Sequence, residues 1–520
     1  MKSPLLSVLF FLCSLSLFAA DQDTTRYSIV TQGKLTGRQL SWNNDKYHTG
    51  YYYEFNDRGR GPLITQHIEV NEKGVIVKEE IDGVDYYKTP VHEVFYVKNG
   101  YAFWKNKFEN DSALFHDQIY SDINGTPASV ELLLKMIRST ARKQLDVLPA
   151  GLRNTEEIRT EEITRDNQKL SVKLFAFSGF GGAPSYSWFT ADGSFFASLS
   201  EWSSIILQGY EQEEKHLYAL QKGYEQAFYT NLAKKITQKN PEGLAIKNVS
   251  LFNTVTGTVT AHSTVLVKNG MIEKTGDASS VNIPSAYKVI DGMNKFLMPG
   301  LWEMHGHFFQ ESGPFMLAQG VTNLRDMGNG ASLLTLRQKV KEDSVLGPDI
   351  TVISGFIDQA GEYAGPTGAI IHTLDEGLKA IDEYKSKGYD QIKLYSSINP
   401  AWVKPLAAKA HGLGMRVCGH IPAFMTASQA IDAGYDEVTH LNMLMLNFFG
   451  DTVDTRNMTR FRMVGRKGYT IDVQSDAVQS LIKKMKDKKI AHDPTITVFE
   501  NMFIDLPGKP SAAYLSLIHI

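Results

Sequence analysis

Apolar and polar residues alternate in short runs from about Tyr27 to Ser200, the period of two that marks strands with one buried face. Tyr51–Phe55, Leu63–Val70, Gly74–Glu79 and Val91–Val97 are rich in aromatic or β-branched residues and are separated by Asn, Asp and Gly. Asp192-Gly193, between Tyr186–Thr190 and Ser194–Ser198, predicts a tight hairpin. One helix interrupts the strands, opening at Thr126-Pro127, where Thr can cap and Pro fits the first turn. Its apolar positions Val130, Leu133, Leu134, Ile137, Ala141, Leu145 and Leu148 recur every three to four residues. The pattern predicts a curved antiparallel α+β domain over residues 21–205, whose aromatics are read as core rather than as a binding groove.

A helical linker is expected over 206–243, centred on Glu211 to Lys239 and closed by the turn Asn240-Pro241-Glu242-Gly243. Strands resume at Leu244–Phe252, Thr258–Lys268 and Met271–Thr275, with a turn at Asn269-Gly270, as one part of a small β-sandwich over 244–296. Beyond 297 the pattern changes. Apolar strands at Val321–Asp326, Ile350–Ser354, Gln391–Tyr395, Met415–His420, Glu437–His440 and Ile490–Val498 alternate with amphipathic helices such as Thr373–Lys387 and Ser475–Lys488. That alternation is the signature of a parallel α/β sheet or barrel. Counting the strand that ends in His307, it supplies about seven strands over 297–510.

A chain of 520 residues exceeds one core and implies several units. Its net charge of −3 gives no reason to expect nucleic acid or an anionic membrane as partner. Met1 to Ala20 reads as a secretory signal: Lys2, the apolar run Leu5 to Phe18, then Ala19-Ala20. The run is shorter than the ~20 residues of a spanning helix, so a periplasmic or secreted location without lasting membrane association is expected. Loss of the signal would leave Cys418 as the only cysteine, which excludes an internal disulfide.

Composition does not reveal chemistry here, but certain positions do. His305 and His307 lie two apart on an extended segment, so both rings face one side with Gly306 leaving room between them. Such a pair is common in strands and marks no site alone. Lys393 in the fourth strand, His420 ending the fifth and His440 ending the sixth add metal-competent groups at the strand ends where sites of such barrels form. Arg325 and Asp326, ending the second strand, read as a structural ion pair, and His492 as packing. The loop Gly361–Gly368 after the third strand brings Tyr363, and Tyr395, two residues beyond Lys393, shares its side; both are candidate substrate contacts.

The stretch Leu297-Met298-Pro299-Gly300-Leu301-Trp302-Glu303-Met304-His305-Gly306-His307 resembles the opening motif of the amidohydrolase superfamily. Asn269 to Gly276 with Val289-Ile290-Asp291-Gly292, and Gln391-Ile392-Lys393-Leu394-Tyr395, are similar to further stretches of it. The motifs look nearest to the imidazolonepropionase-related and Xaa-Pro dipeptidase-like subgroup. The resemblance implies a (β/α)8 TIM-like barrel with a composite sandwich, and two divalent metals, most often zinc. His305 and His307 would take the more buried ion, His420 and His440 the more exposed one. Lys393, carbamylated by CO2, would bridge them. The implied reaction is hydrolysis of a carbon–nitrogen bond by a metal-bridging hydroxide, on a small-molecule substrate such as a dipeptide or N-acyl amino acid.

Two alternatives stay open. A mononuclear deaminase of the same superfamily would place Glu three residues after the fifth-strand His, where this chain has Ala423. A non-catalytic exported binding protein with a degenerate barrel is the other. The resemblance calls for a catalytic Asp at the end of an eighth strand, which is not found, so no catalytic proton carrier is assigned and Asp493 is read as a seventh-strand residue. The barrel is accordingly expected to be incomplete, with 511–520 an artefactual or disordered tail. A homo-oligomer is compatible with the sequence.

Overall fold

The computed structural model describes residues 24–503 apart from 180, 181, 331 and 366. The expected signal at 1–20 and tail at 511–520 lie outside the described residues. The chain divides into two compact units between Tyr218 and Ala219.

The first unit is a fifteen-stranded sheet built almost wholly by antiparallel neighbours. Its first strand, Thr25–Thr31, pairs on one side with the second strand and on the other with the last, Ser203–Leu207. The hairpin at Asp192-Gly193 forms as expected, between Ser185–Thr190 and Phe195–Ser198. The helix Val130–Ser139 drives Leu134, Met136 and Ile137 into a core with Phe95, Trp104, Phe175, Phe177, Phe189 and Phe195. The aromatic residues of this unit therefore serve largely as core. That helix is shorter than its apolar spacing predicts. It stops at Ser139, and Thr140 turns the chain, its hydroxyl bonding to the carbonyls of Ile137 and Gln144. Leu145 and Leu148 then reach the same core from a strand, Gln144–Leu148. A spacing of three was met by two different elements.

Beneath this helix lie acidic groups. Glu79 accepts from Gln66 Nε2 at 2.6 Å, and Gln66 in turn accepts from Thr126 N–H and Oγ–H. Burial and the neighbouring Asp122 charge hold the Glu79 carboxyl well above its ordinary range, and burial together with Glu93 pushes Asp122 to about 6. Folding therefore favours protonation of the pair. The stability this contributes is full below the unfolded pKa of about 4 and is lost as pH rises through the folded values, about 6 for Asp122. Glu79→Gln keeps a hydrogen-bonding side chain and removes one titration. It is expected to raise the melting temperature of this unit by a few degrees at pH 8 and to change it little at pH 4, which pH-dependent calorimetry would read.

In the second unit, a five-stranded sheet comprises Leu244–Phe252, Val259–Lys268, Met271–Asp277, Lys288–Asp291 and Phe296–Leu297. Ala245, Leu266, Val281 and Tyr287 fill its small core, while Met271, Ile272, Val289, Ile290 and Phe296 are exposed. Seven parallel strands follow: β1 Leu301–Gly306, β2 Val321–Asp326, β3 Asp349–Gln359, β4 Gln391–Leu394, β5 Arg416–Gly419, β6 Glu437–Thr439 and β7 Ala491–Asp493. They are paired in chain order, each joined to the next by a crossing segment. A short strand, Ala369–Ile371, pairs in parallel beside the last residues of β3. Helices Leu374–Ser386 and Pro400–Gly412 bury Ile381, Val403, Leu406 and Ala407 against Ile353, Ile392 and Val417. Thr373 caps the first by accepting from Glu376 N–H. The sheet is rolled rather than flat, because side chains from its two edge strands meet: the Asp493 carboxylate of β7 lies 2.5 Å from His305 Nδ1 of β1.

The seventh strand is shorter than the expected Ile490–Val498. Pro494 cannot donate to a ladder, and a helix, Ile496–Phe503, starts two residues later. No helix among the described residues is long and apolar enough to cross a membrane. Cys418 on β5 is 1% exposed, and burial first, then the Glu437 charge, pushes its thiol up to about 12. It should stay unlabelled by iodoacetamide in the native protein and react after denaturation, as peptide mass mapping would show.

Candidate active site

Each histidine stands where a strand gives way to a loop, and each has one ring nitrogen held from behind. His305 is the penultimate residue of β1; its Nδ1 meets Asp493. His307 follows the strand, and its Nδ1 donates to the Gly328 carbonyl at 2.5 Å. That carbonyl is set by Asp326, which is fully buried and accepts from the backbone N–H groups of Phe308 and Gly328 at 2.8 and 3.0 Å. Asp326 therefore folds the turn that carries His307 and does not pair with Arg325. Arg325 reaches instead to Glu437 and Asp493, correcting the expected ion pair. Neighbours in sequence on a strand point to opposite faces, so the two side chains cannot share a partner easily.

His420 follows β5 and its Nδ1 lies 2.9 Å from Ser396 Oγ, just beyond β4. Before it, Gly419 sits at φ +139, and a Cβ there would meet the Leu394 carbonyl at 2.0 Å, so only glycine fits this close approach. His440 adopts a left-handed backbone, φ +67, which is costly for a non-glycine residue. Its N–H donates to the Asp493 carbonyl at 2.6 Å and its Nδ1 lies 2.8 Å from Thr495 Oγ1. The loop after β7 thus holds it.

These rings converge. Centroids of His305 and His307 are 5.6 Å apart, those of His305 and His440 4.6 Å, and those of His420 and His440 4.7 Å. Lys393, 1% exposed on β4, points its Nζ to within 3.3 Å of His305 Nε2. Burial lowers the ammonium's pKa. It lowers those of His305, His420 and His440 too, helped at His305 by Lys393, at His420 by His440 and at His440 by His305. His307, at the open rim with part of its surface in water, is held down less, to about 4, by burial and then by Lys393. The five groups expected to hold metal are therefore gathered, with neutral imidazoles favoured.

That donor set suits divalent metals. Nitrogen donors with Nδ1 occupied from behind leave Nε2 for an ion, the arrangement that orients metal-ligating histidines. Among the described residues no three His, Cys, Asp or Glu side chains stand close enough as they are to hold an ion.

Tyr395 lies over His420, ring centroids 3.9 Å apart, and against Phe356 at 4.7 Å. The Tyr363 ring lies 5.2 Å beneath the Arg456 guanidinium, and its carbonyl accepts from Ser397 Oγ. His492 donates through Nδ1 to the Val438 carbonyl at 2.9 Å, in keeping with a packing role. The residue that reasoning from sequence undervalued is Asp493. Its strand position was legible, but its contact with the opposite edge strand was not, because only the roll of the sheet creates it.

No family model matches the chain, and no curated protein matches it. Solved structures do. A protein provisionally named a prolidase, from Bifidobacterium longum, is 21% identical over 48% of this chain and 68% of its own, with a TM-score of 0.34. A Xaa-Pro dipeptidase with methionine bound in its active site is 15% identical over 54% of this chain and 89% of its own, TM-score 0.34. The ochratoxinase of A. niger is 17% identical over 53% and 79%, TM-score 0.32. The solved structures to which this chain is similar thus include ones described as prolidase, Xaa-Pro dipeptidase and ochratoxinase, alongside an amidohydrolase.

Proposed function

We propose that the second unit is a metal-dependent hydrolase of the amidohydrolase type, cleaving the carbon–nitrogen bond of a dipeptide or an N-acyl amino acid. One observation carries this reading: four imidazoles and a buried lysine, drawn from β1, β4, β5 and β6, gather at one end of a parallel sheet. His305 and His307 would hold one divalent ion, His420 and His440 a second, and Lys393, as its carbamate, would join them. Zinc ions there would supply Lewis acidity and a water acidic enough to react near neutral pH.

The chain's own residues account for the rest. Asp493, Gly328, Ser396 and Thr495 each hold one imidazole through Nδ1, which limits the orientations the four rings can take. Burial disfavours the ammonium of Lys393, and the neutral amine is the form that adds to CO2, losing one proton to give an anionic carbamate. Tyr395, above His420, would donate to a substrate carbonyl oxygen; Tyr363, held by Arg456, would line the rim. The test is to reconstitute the full chain with Zn2+, measure bound metal, and assay Xaa-Pro dipeptides and N-acyl amino acids for amine release. About two ions per chain with amine release is expected. A chain that retains no metal after desalting would end the proposal.

A further inference from the structure

Behind the histidines runs a buried ionic network that ligand binding does not by itself require. Arg325 of β2 donates through Nε to the Met304 carbonyl at 2.6 Å, and through Nη1 and Nη2 to the two oxygens of Glu437 on β6 at 2.8 and 2.7 Å. Nη2 also reaches Asp493 Oδ2 on β7 at 3.1 Å. That same oxygen takes the bond from His305 Nδ1. Arg325 and Glu437 are buried and His305 and Asp493 part-buried, with side-chain exposures of 7%, 4%, 7% and 13% respectively.

We propose that Arg325 is a positioning residue for His305, acting through Asp493. The proposal rests on the reading that these histidines bind metal. Glu437 alone balances the arginine's charge with a two-pronged bond, so a merely structural ion pair would be complete there. The further donors go to the two groups that define His305: the carbonyl of the residue before it and the oxygen its Nδ1 uses. The planar guanidinium fixes the angle between those bonds, which a lysine's single point charge does not. Because the Asp493 carbonyl also accepts from His440 N–H, the same aspartate sets the position of a second histidine. Arg325 thereby ties β1, β6 and β7 at the level of the site.

Removing Arg325 alone would leave Glu437 with only the longer contact to Arg416 at 3.8 Å and Asp493 with only His305, so the informative variant is R325Q/E437Q, which removes one charge of each sign and leaves two amides to bond each other. After chelation, Co2+ is titrated into the full chain and followed by its visible absorption. Relative to the unaltered chain, R325Q/E437Q should bind Co2+ about 10- to 100-fold more weakly, with a near-normal melting temperature. D493A should lose a similar amount, and adding it to the double variant should cost little more. R325K, which keeps the charge and loses the fork, should show the same weakening. Unchanged Co2+ affinity in R325Q/E437Q or in folded R325K would overturn the proposal, as would losses that multiply with D493A. If the unaltered chain takes up no Co2+, the metal reading fails and this one with it. If it does and the variants match it, only the role of Arg325 falls.

Discussion

Lys393→Ala is expected to remove most of the bound metal and nearly all hydrolysis while leaving the fold intact. The Nζ of Lys393 lies 3.3 Å from His305 Nε2, inside a site whose other members are neutral imidazoles. With no anionic group among the imidazoles, two dications would face mutual repulsion, screened only by the protein around them. The loss should exceed the roughly 10- to 100-fold that follows removal of an outer partner of a metal ligand. Alanine leaves a space where the lysine chain ran, at a cost of a few kcal/mol by comparison with other large-to-small core changes. Short carboxylates such as acetate or propionate fit such a space and present the missing oxygens, so they should restore part of the activity. Metal analysis and steady-state assays with and without propionate would decide. Full metal content and full activity in Lys393→Ala would remove the lysine from the site altogether.

Arg325→Met should destabilise the second unit by about 3–5 kcal/mol, because one partner of a buried pair is lost and Glu437 keeps only the longer contact to Arg416 at 3.8 Å. Glu437 at 3% exposure would be left without the guanidinium. Burial already pushes the Asp493 carboxyl up, and Arg325 is the first influence pulling it back. Urea unfolding of the second unit's transition at pH 8 would show the loss, and lowering the pH should return some stability as Asp493, whose carboxyl burial already pushes up, takes up a proton. A loss below about 1 kcal/mol would mean that water or another cation reaches the two carboxylates, as at a surface pair.

How legible the chain was depended on the range over which each interaction acts. The strands of the parallel sheet from Val321 to Thr439 match their expected positions to within a few residues, except that β3 runs on to Gln359. There, apolar runs are bounded by caps such as Thr373, and this signal is local. The helix expected to run to Leu148 ends at Ser139, since a stripe of apolar residues records only that they are buried. It does not record which backbone conformation buries them. Similarly, His305, His307, Lys393, His420 and His440 were marked by residue type and by their places at strand ends.

What the sequence determined by itself was the alternation of strand and helix, the identity of the metal-competent side chains and the strands that carry them. The rolled sheet decided the rest. It brought Asp493 from β7 to His305 on β1, turned Arg325 away from its neighbour Asp326 toward Glu437, and gave Asp326 to the backbone turn that carries His307. Those contacts join residues from 18 to 188 positions apart. A side chain's period along a strand states which face it is on, whereas its partner is fixed by curvature and register between strands, and these are properties of the assembled sheet.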